Sequence, residues 1–436
     1  MPAMLTSGLS LQQAPPLSVP GRFFLIAPVF GALAALVLFL HPEGFPNSRW
    51  TGAVLAVTHC LALGFFTSIM IGALQQMLPV LAGAFIPRPR LIAGIVWWLW
   101  LPGILCLIGG FLHMRPWMFA AAAILAGGAL ITFLAAVIAA LLPAEAQGDS
   151  VSGIRFAILA LTVTLILGIL LAAGYAGFVP LWRPVVTDLH LSWGLPGWIG
   201  ALVIAIAWQV VPMFQITQPY PQWFRRSFVP VMFVLLAGKS VCALIGNGAI
   251  SIMTLIDLAI AATLVCFALL TLQLQFQSKR RIRDSHRDFW RLGMVHLIAV
   301  CACWIAAVLT GRPALDLLTA VLFLMGFAMS VVTGMLLKIL SFLIWLHLSE
   351  LDNALTLAGK PGVEVPKMKS VINNWVADRL LQLLLFSQAL LLLAFPWPSL
   401  FTRPAALAWL VFFLFLGWII TRVLLRYREI ATAANT

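Results

Sequence analysis

The chain has 436 residues, 63% of them apolar and 9% charged, with a mean hydropathy of +1.06. A soluble protein of this length cannot bury so much apolar surface, so the composition excludes a water-soluble enzyme and specifies a polytopic membrane protein. The formal charge of +13 does not signal a nucleic-acid partner, because the basic residues are sorted by side of the bilayer.

Residues 1–21 are rich in Pro, Ser and Gln and lack the cationic start of a signal peptide, which predicts a cytoplasmic tail and a first span that is its own anchor. Twelve apolar runs follow, near 22–40, 51–83, 91–113, 117–142, 155–179, 190–216, 228–247, 249–276, 291–310, 314–348, 377–396 and 404–426. Helices of roughly 20 residues cross a bilayer and satisfy their backbone within one segment. The sequence therefore predicts an all-α protein with twelve transmembrane helices in one membrane domain, 22–427. A cytoplasmic basic loop is expected at 277–291, a cytoplasmic linker at 349–376 and a tail at 428–436.

Alternate connections between these runs carry nineteen Lys and Arg on one side and five on the other, the five being Arg49, Arg115, Arg183, Arg312 and Arg403. The positive-inside rule then sets both termini in the cytoplasm of a bacterial inner membrane. The basic cluster from Lys279 to Arg291 is expected to touch anionic lipid.

Within the runs a pattern repeats. His59-Cys60-Leu61-Ala62-Leu63-Gly64 precedes Gln76-Met77-Leu78-Pro79 in the second, and His190-Leu191-Ser192-Trp193-Gly194 precedes Gln209-Val210-Val211-Pro212 in the sixth. In the tenth, Lys338-Ile339-Leu340-Ser341 stands where Gln-x-x-Pro is expected, with no histidine some twenty residues earlier. Pro79 and Pro212 are 133 residues apart, and Pro212 and Ser341 are 129 apart. These spacings predict three four-helix units about a pseudo-threefold axis, with helices 2, 6 and 10 as equivalents.

The topology gives the polar residues a depth. His41, His113 and His190 fall at the outer ends of spans 1, 3 and 6, and His59 about two turns into span 2. Imidazoles at that depth are hydrogen-bonded interfacial groups or ligands to haem or copper. His59 and His190, at matching points of the repeat, are the leading candidates; His113 follows. His286 is expected in the basic loop, with His296 and His347 near the inner face. Met325 and Met329 in span 10 offer thioethers, although Met in a bundle is more often packing. The six cysteines all lie in apolar spans and read as buried thiols; no Cys-x-x-Cys-His is present for covalent haem. Lys239 and Asp257 lie nine residues either side of Gly248, so neighbouring antiparallel helices should pair them, as a structural ion pair or a proton relay. Gln75, Gln76, Gln209 and Lys338 fall at corresponding inner positions of spans 2, 6 and 10. They could line a solute or proton path, or bond carbonyls freed by the prolines.

Twelve spans, three units and histidines near the outer ends of spans 2 and 6 together resemble subunit I of the haem–copper oxidase superfamily. The chain is also similar to NnrS-type proteins, small twelve-span relatives tied to nitric oxide and metal stress. The resemblance implies that span 2 supplies a low-spin haem ligand and span 6 a copper ligand, which His59 matches and His190 approximates. It further implies a histidine pair in span 7 and haem ligands in span 10. Span 7 has no histidine, and the only one in span 10, His347, lies at the wrong end. The expectation is thus a protein that does not reduce oxygen. It holds at most one haem b, with His59 and His190, Met325 or Met329 as axial ligands, or one copper at His59, His190 and His113. Its expected work is electron transfer with a respiratory donor, a response to nitric oxide, or respiratory-complex assembly. A solute or proton-coupled transporter is the alternative, although transporter repeats are usually twofold and inverted.

Overall fold

The structure, a computed structural model, describes residues 15–46, 48–142, 148–180, 183–245, 250–278 and 284–434. The Asn247-Gly248 turn and the basic residues 279–283 lie outside the described residues. Twelve helices are long and apolar enough to cross a membrane: α1 (Ser18–Leu40), α2 (Gly52–Val80), α3 (Pro89–His113), α4 (Pro116–Leu141), α5 (Asp149–Tyr175), α6 (Pro184–Gln215), α7 (Gln222–Ile245), α8 (Ile252–Phe276), α9 (Ser285–Thr310), α10 (Ala314–Leu357), α11 (Asn374–Leu393) and α12 (Pro398–Ala433). No strand occurs among the described residues.

Helix α1 runs antiparallel to α12. A Cβ on Gly21 would meet Leu424, while one on Gly31 would meet Phe413. The start of α1 and the last turns of α12 therefore sit at one end of the bundle, here the terminal end, opposite a far end. Each four-helix segment makes the same contacts: first helix with second, first with third, third with fourth, and fourth with the first helix of the next segment. The circuit closes where α12 meets α1. Inside it stand α2, α6 and α10, whose most apolar windows are 67%, 72% and 89% buried, against at most 56% for the other nine.

These three inner helices share a local feature. Each changes from α to π winding and back, at Cys60–Thr67, Trp193–Gly200 and Leu322–Ala328. The π segments begin 133 and 129 residues apart, the same offsets that relate Pro79, Pro212 and Ser341. Gly64, Gly197 and Gly326 stand at one register within them, and a Cβ there would run into Phe30 of α1, Ala160 of α5 and His296 of α9 respectively. Glycine is thus required where α1 and α9 approach α2 and α10, at Gly64 and Gly326, while at Gly197 a Cβ would be tight, 3.1 Å from Ala160. π winding leaves carbonyls without regular helical donors, and side chains step in. Thr67 donates to the Ala62 carbonyl at 2.8 Å, and Gln388 of α11 donates to the Met325 carbonyl at 2.8 Å.

The helices extend beyond the apolar runs. The loop expected at 277–291 is helical from Ser285, with the Asp284 carboxylate capping the His286 N–H at 3.2 Å. His286, Phe289 and Trp290 then turn inward, which buries one face of the first two turns and leaves Arg287 and Asp288 less buried. Likewise α10, 44 residues long, continues past 349 to Leu357 in the expected linker, and α12 continues to Ala433. Polar residues that end a hydropathy run need not end a helix, because water at the interface solvates side chains without unwinding the backbone.

Candidate functional site

At the far end, Thr51 caps α2 by accepting the Val54 N–H at 3.3 Å. Two turns later His59 is the last α-helical residue before the π segment. His190 stands three residues before the π segment of α6. Their ring centroids are 6.5 Å apart, with planes 20° from parallel. His59 Nδ1 is 2.8 Å from the Leu55 carbonyl and His190 Nδ1 is 3.0 Å from the Thr164 carbonyl of α5. A carbonyl only accepts, so each Nδ1 carries the proton and each neutral ring keeps its lone pair on Nε2. No hydrogen bond to either Nε2 occurs among the described residues.

The surroundings fix both rings. Phe111 stacks on His59 at 5.0 Å, and Tyr175 stands edge-on to Phe111 at 5.6 Å. His190 lies against Gly168 of α5, where a Cβ would come within 3.1 Å of its Cε1. Above the pair, Arg49 in the loop before α2 bonds Asp188 of α6 at 2.9 Å and ties the two helix entrances together.

The two histidines do not occupy matching points of the repeat. By the 133- and 129-residue offsets, His59 corresponds to Ser192 and Val321, and His190 corresponds to Val57 and Thr319. Val57 and Val321 both line a largely apolar cavity between α1, α2, α10 and α11, with Thr58, His41 and Met325. The histidine pair across α2 and α6 thus uses the same two positions as the valine pair across α10 and α2.

Of the axial partners the resemblance offers His59, His190 is the one whose ring stands beside it. Met325 faces the valine-lined cavity and Met329 is wholly buried. His113 is exposed at the end of α3, and His41 is exposed beside Glu43 at 3.7 Å. Among the described residues no three of His, Cys, Asp and Glu gather as a metal-binding group. Cys301 and Cys303 point to different carbonyls, of Ala261 and Leu315.

The polar residues deeper in the bundle separate. Lys239 donates to Asp257 at 2.6 Å, and the neighbouring Ser240 accepts from Trp193 of α6 at 3.0 Å. Lys338 pairs with Asp284 at 3.3 Å, which sets it at the level where α9 begins rather than deep in a span. Gln75 and Gln76 are buried whereas Gln209 is exposed, so no polar ring forms from these four. His286, expected in a loop, is buried with Nδ1 2.9 Å from the Gly334 carbonyl. The Asp284 cap, two residues ahead of an inward-facing His286, is the sequence signal that would have located it. His347 bonds the Pro15 carbonyl at 3.1 Å at the terminal end.

A second cavity lies between the three inner helices. Its wall includes Ile69, Leu202 and Val331, then Met70, Val203 and Val332, then Ala73, Ile206 and Met335. Each set of three is related by the offsets 133 and 129. No protein-family model matches the chain, and no curated protein matches it.

Proposed function

We propose that the chain is an oxidase-like integral membrane protein that holds one metal ion between His59 and His190, as copper or as the iron of a haem b. The observation that carries this reading is the ring geometry. Two imidazoles held through Nδ1 stand with ring centroids 6.5 Å apart, each with its Nε2 free of a hydrogen bond among the described residues. A metal–nitrogen bond is about 2.0–2.1 Å, and two such bonds plus two half-rings span nearly that distance. Two protein ligands suit copper, or haem iron, whose macrocycle supplies four more. They do not suit structural zinc or the facial triad of non-haem iron.

The repeat supports the oxidase-like architecture of three four-helix units about a pseudo-threefold axis. Its contact circuit, π segments and glycines recur at one pair of offsets. The excess of Lys and Arg at the terminal end supports cytoplasmic termini, and with them a histidine pair beneath the outer face of a bacterial cytoplasmic membrane. With no histidine in α7, the chain lacks the second metal of an oxygen-reducing centre. A single ion suits one-electron exchange with a respiratory donor, a response to nitric oxide or metal stress, or respiratory assembly.

The electronic spectrum and metal content of the purified protein test this reading. Sharp reduced α and β bands identify haem, and one copper per chain without them identifies copper. Either signal is to vanish in His59→Ala and in His190→Ala and to persist in His113→Ala. The buried Lys239–Asp257 pair favours the second reading, a proton-coupled transporter. Absence of both metals after expression with haem precursor and copper supplied, together with Asp257-dependent proton uptake by proteoliposomes, would establish it instead.

A further inference from the structure

The start of α1 has no side-chain cap, since Leu17 precedes it and bonds none of its first N–H groups. It is held from α10 instead. His347 Nε2 is 3.1 Å from the Pro15 carbonyl, and His347 Nδ1 is 2.9 Å from the Leu343 carbonyl one turn back on α10. Both partners only accept, so each contact is a hydrogen bond only when that nitrogen carries a proton. A neutral imidazole satisfies one of the two carbonyls, and the imidazolium satisfies both. His59, His190 and His296 differ, for among the described residues each meets a carbonyl through Nδ1 alone.

Two titratable groups face the ring. Glu350, one turn on along α10, lies within electrostatic reach of it, and Tyr427 of α12 stands edge-on at 6.2 Å. Arg426, Arg428 and Glu429 flank Tyr427 but are exposed, and Arg22 of α1 is turned back onto the Ser18 carbonyl. Pro15 and Leu17 are buried, so water replaces a lost bond there poorly.

We infer that His347 is a proton-operated latch on the start of α1. Doubly protonated, it donates to Leu343 and Pro15 at once and pins the entry of α1 where α1, α10 and α12 meet and the circuit of helices closes. As the pH rises through the range in which histidines lose their charge, one of the two bonds is lost and the entry loosens. An ionised Glu350 favours the latched form. The latch is closed in acid and slack in alkali. It is independent of the metal reading, because it lies at the opposite end of the bundle from His59 and His190.

Hydrogen exchange of the whole protein in lipid nanodiscs, corrected for the intrinsic pH dependence of exchange, tests it over the amides of Leu17 to Arg22. Protection is expected to drop roughly tenfold between about pH 5.5 and about pH 8, as for one charge-assisted hydrogen bond, while the start of α4 at the far end keeps its own. His347→Gln, whose amide can still donate to Pro15 but does not titrate, is to abolish the step. Glu350→Gln is to move it to lower pH, and Tyr427→Phe is to leave it in place. Nitrogen NMR of the wild-type ring is to show two protonated nitrogens where the segment is protected and one where it is not, which needs no variant to fold. Equal protection at both pH values, a step that survives His347→Gln or vanishes in Tyr427→Phe, an equal drop at α4, or a ring singly protonated throughout would each overturn the inference.

Discussion

His190 and Val57 share one position of the repeat, and each is matched across its helix interface by a residue from a second shared position, His59 and Val321 respectively. The interface between α2 and α6 therefore carries two imidazoles where the interface between α10 and α2 carries two valines around a cavity. If the interfaces are equivalent in geometry as well as in register, Val57→His with Val321→His creates a second two-imidazole site. Metal analysis of that double variant is expected to rise from one ion per chain to two. A ratio that stays at one would mean that the register is shared but the geometry is not.

Gly168 lets the His190 ring lie flat against α5, and the Cβ of alanine would come within 3.1 Å of Cε1. Gly168→Ala must tilt or push the ring while adding a good helix former, worth roughly 1 kcal/mol in an exposed helix. Metal affinity is expected to fall about tenfold, the lower end for disturbed outer-shell partners, with no loss of thermal stability. Falling affinity together with falling stability would instead mark the glycine as general packing.

Lys239 and Asp257 are bonded at 2.6 Å within the apolar part of α7 and α8. Removing one partner strands a charge, so Lys239→Met or Asp257→Leu alone is expected to cost about 3–5 kcal/mol. The joint replacement Lys239→Met with Asp257→Leu should recover most of that loss. Unfolding in detergent measures the cycle. Recovery of stability with unchanged metal content makes the pair structural, whereas a stable double variant that no longer moves protons in vesicles makes it a relay.

The twelve spans were legible because each is a long apolar run. The ends were not, since charged residues such as Arg287 and Asp288 belong, half-buried, to a helix that has already begun at Ser285. The π segments are not legible in the sequence, because a single glycine such as Gly64, Gly197 or Gly326 in an apolar helix reads as close packing, not as a change of winding. His59 and His190 were identified as a pair for an imperfect reason. Their distances to the following proline, 20 and 22 residues, already differ by two, and that difference moves each ring to a different side of its helix. Gln209 and Lys338 show the converse. They share a register with Gln76, but one is exposed and the other is tied to Asp284, because what covers each inner helix near the terminal end is not repeated.

Tyr220, in the connection between α6 and α7, supplies a pH dependence. Thr271 gives its hydroxyl proton to the Phe267 carbonyl at 2.8 Å, so the Tyr220 hydroxyl donates to Thr271 Oγ1, also at 2.8 Å. Burial holds the phenol far above its ordinary value, and a hydroxyl that donates to Thr271 is likewise favoured in its neutral form. The neutral form is the one favoured by folding, so its contribution is complete below the unfolded-chain value of about 10. It drains away above that pH, where the unfolded chain releases the proton and the folded chain does not. At neutral pH Tyr220→Phe is expected to cost about 0.5–1.5 kcal/mol for the lost hydrogen bond. Thermal unfolding followed from pH 8 upward, beyond ~10, should show the gap between wild type and variant closing as the wild type weakens. Parallel curves would show that the fold does not hold this hydroxyl neutral, and that the Thr271 contact is available to a solvated ring.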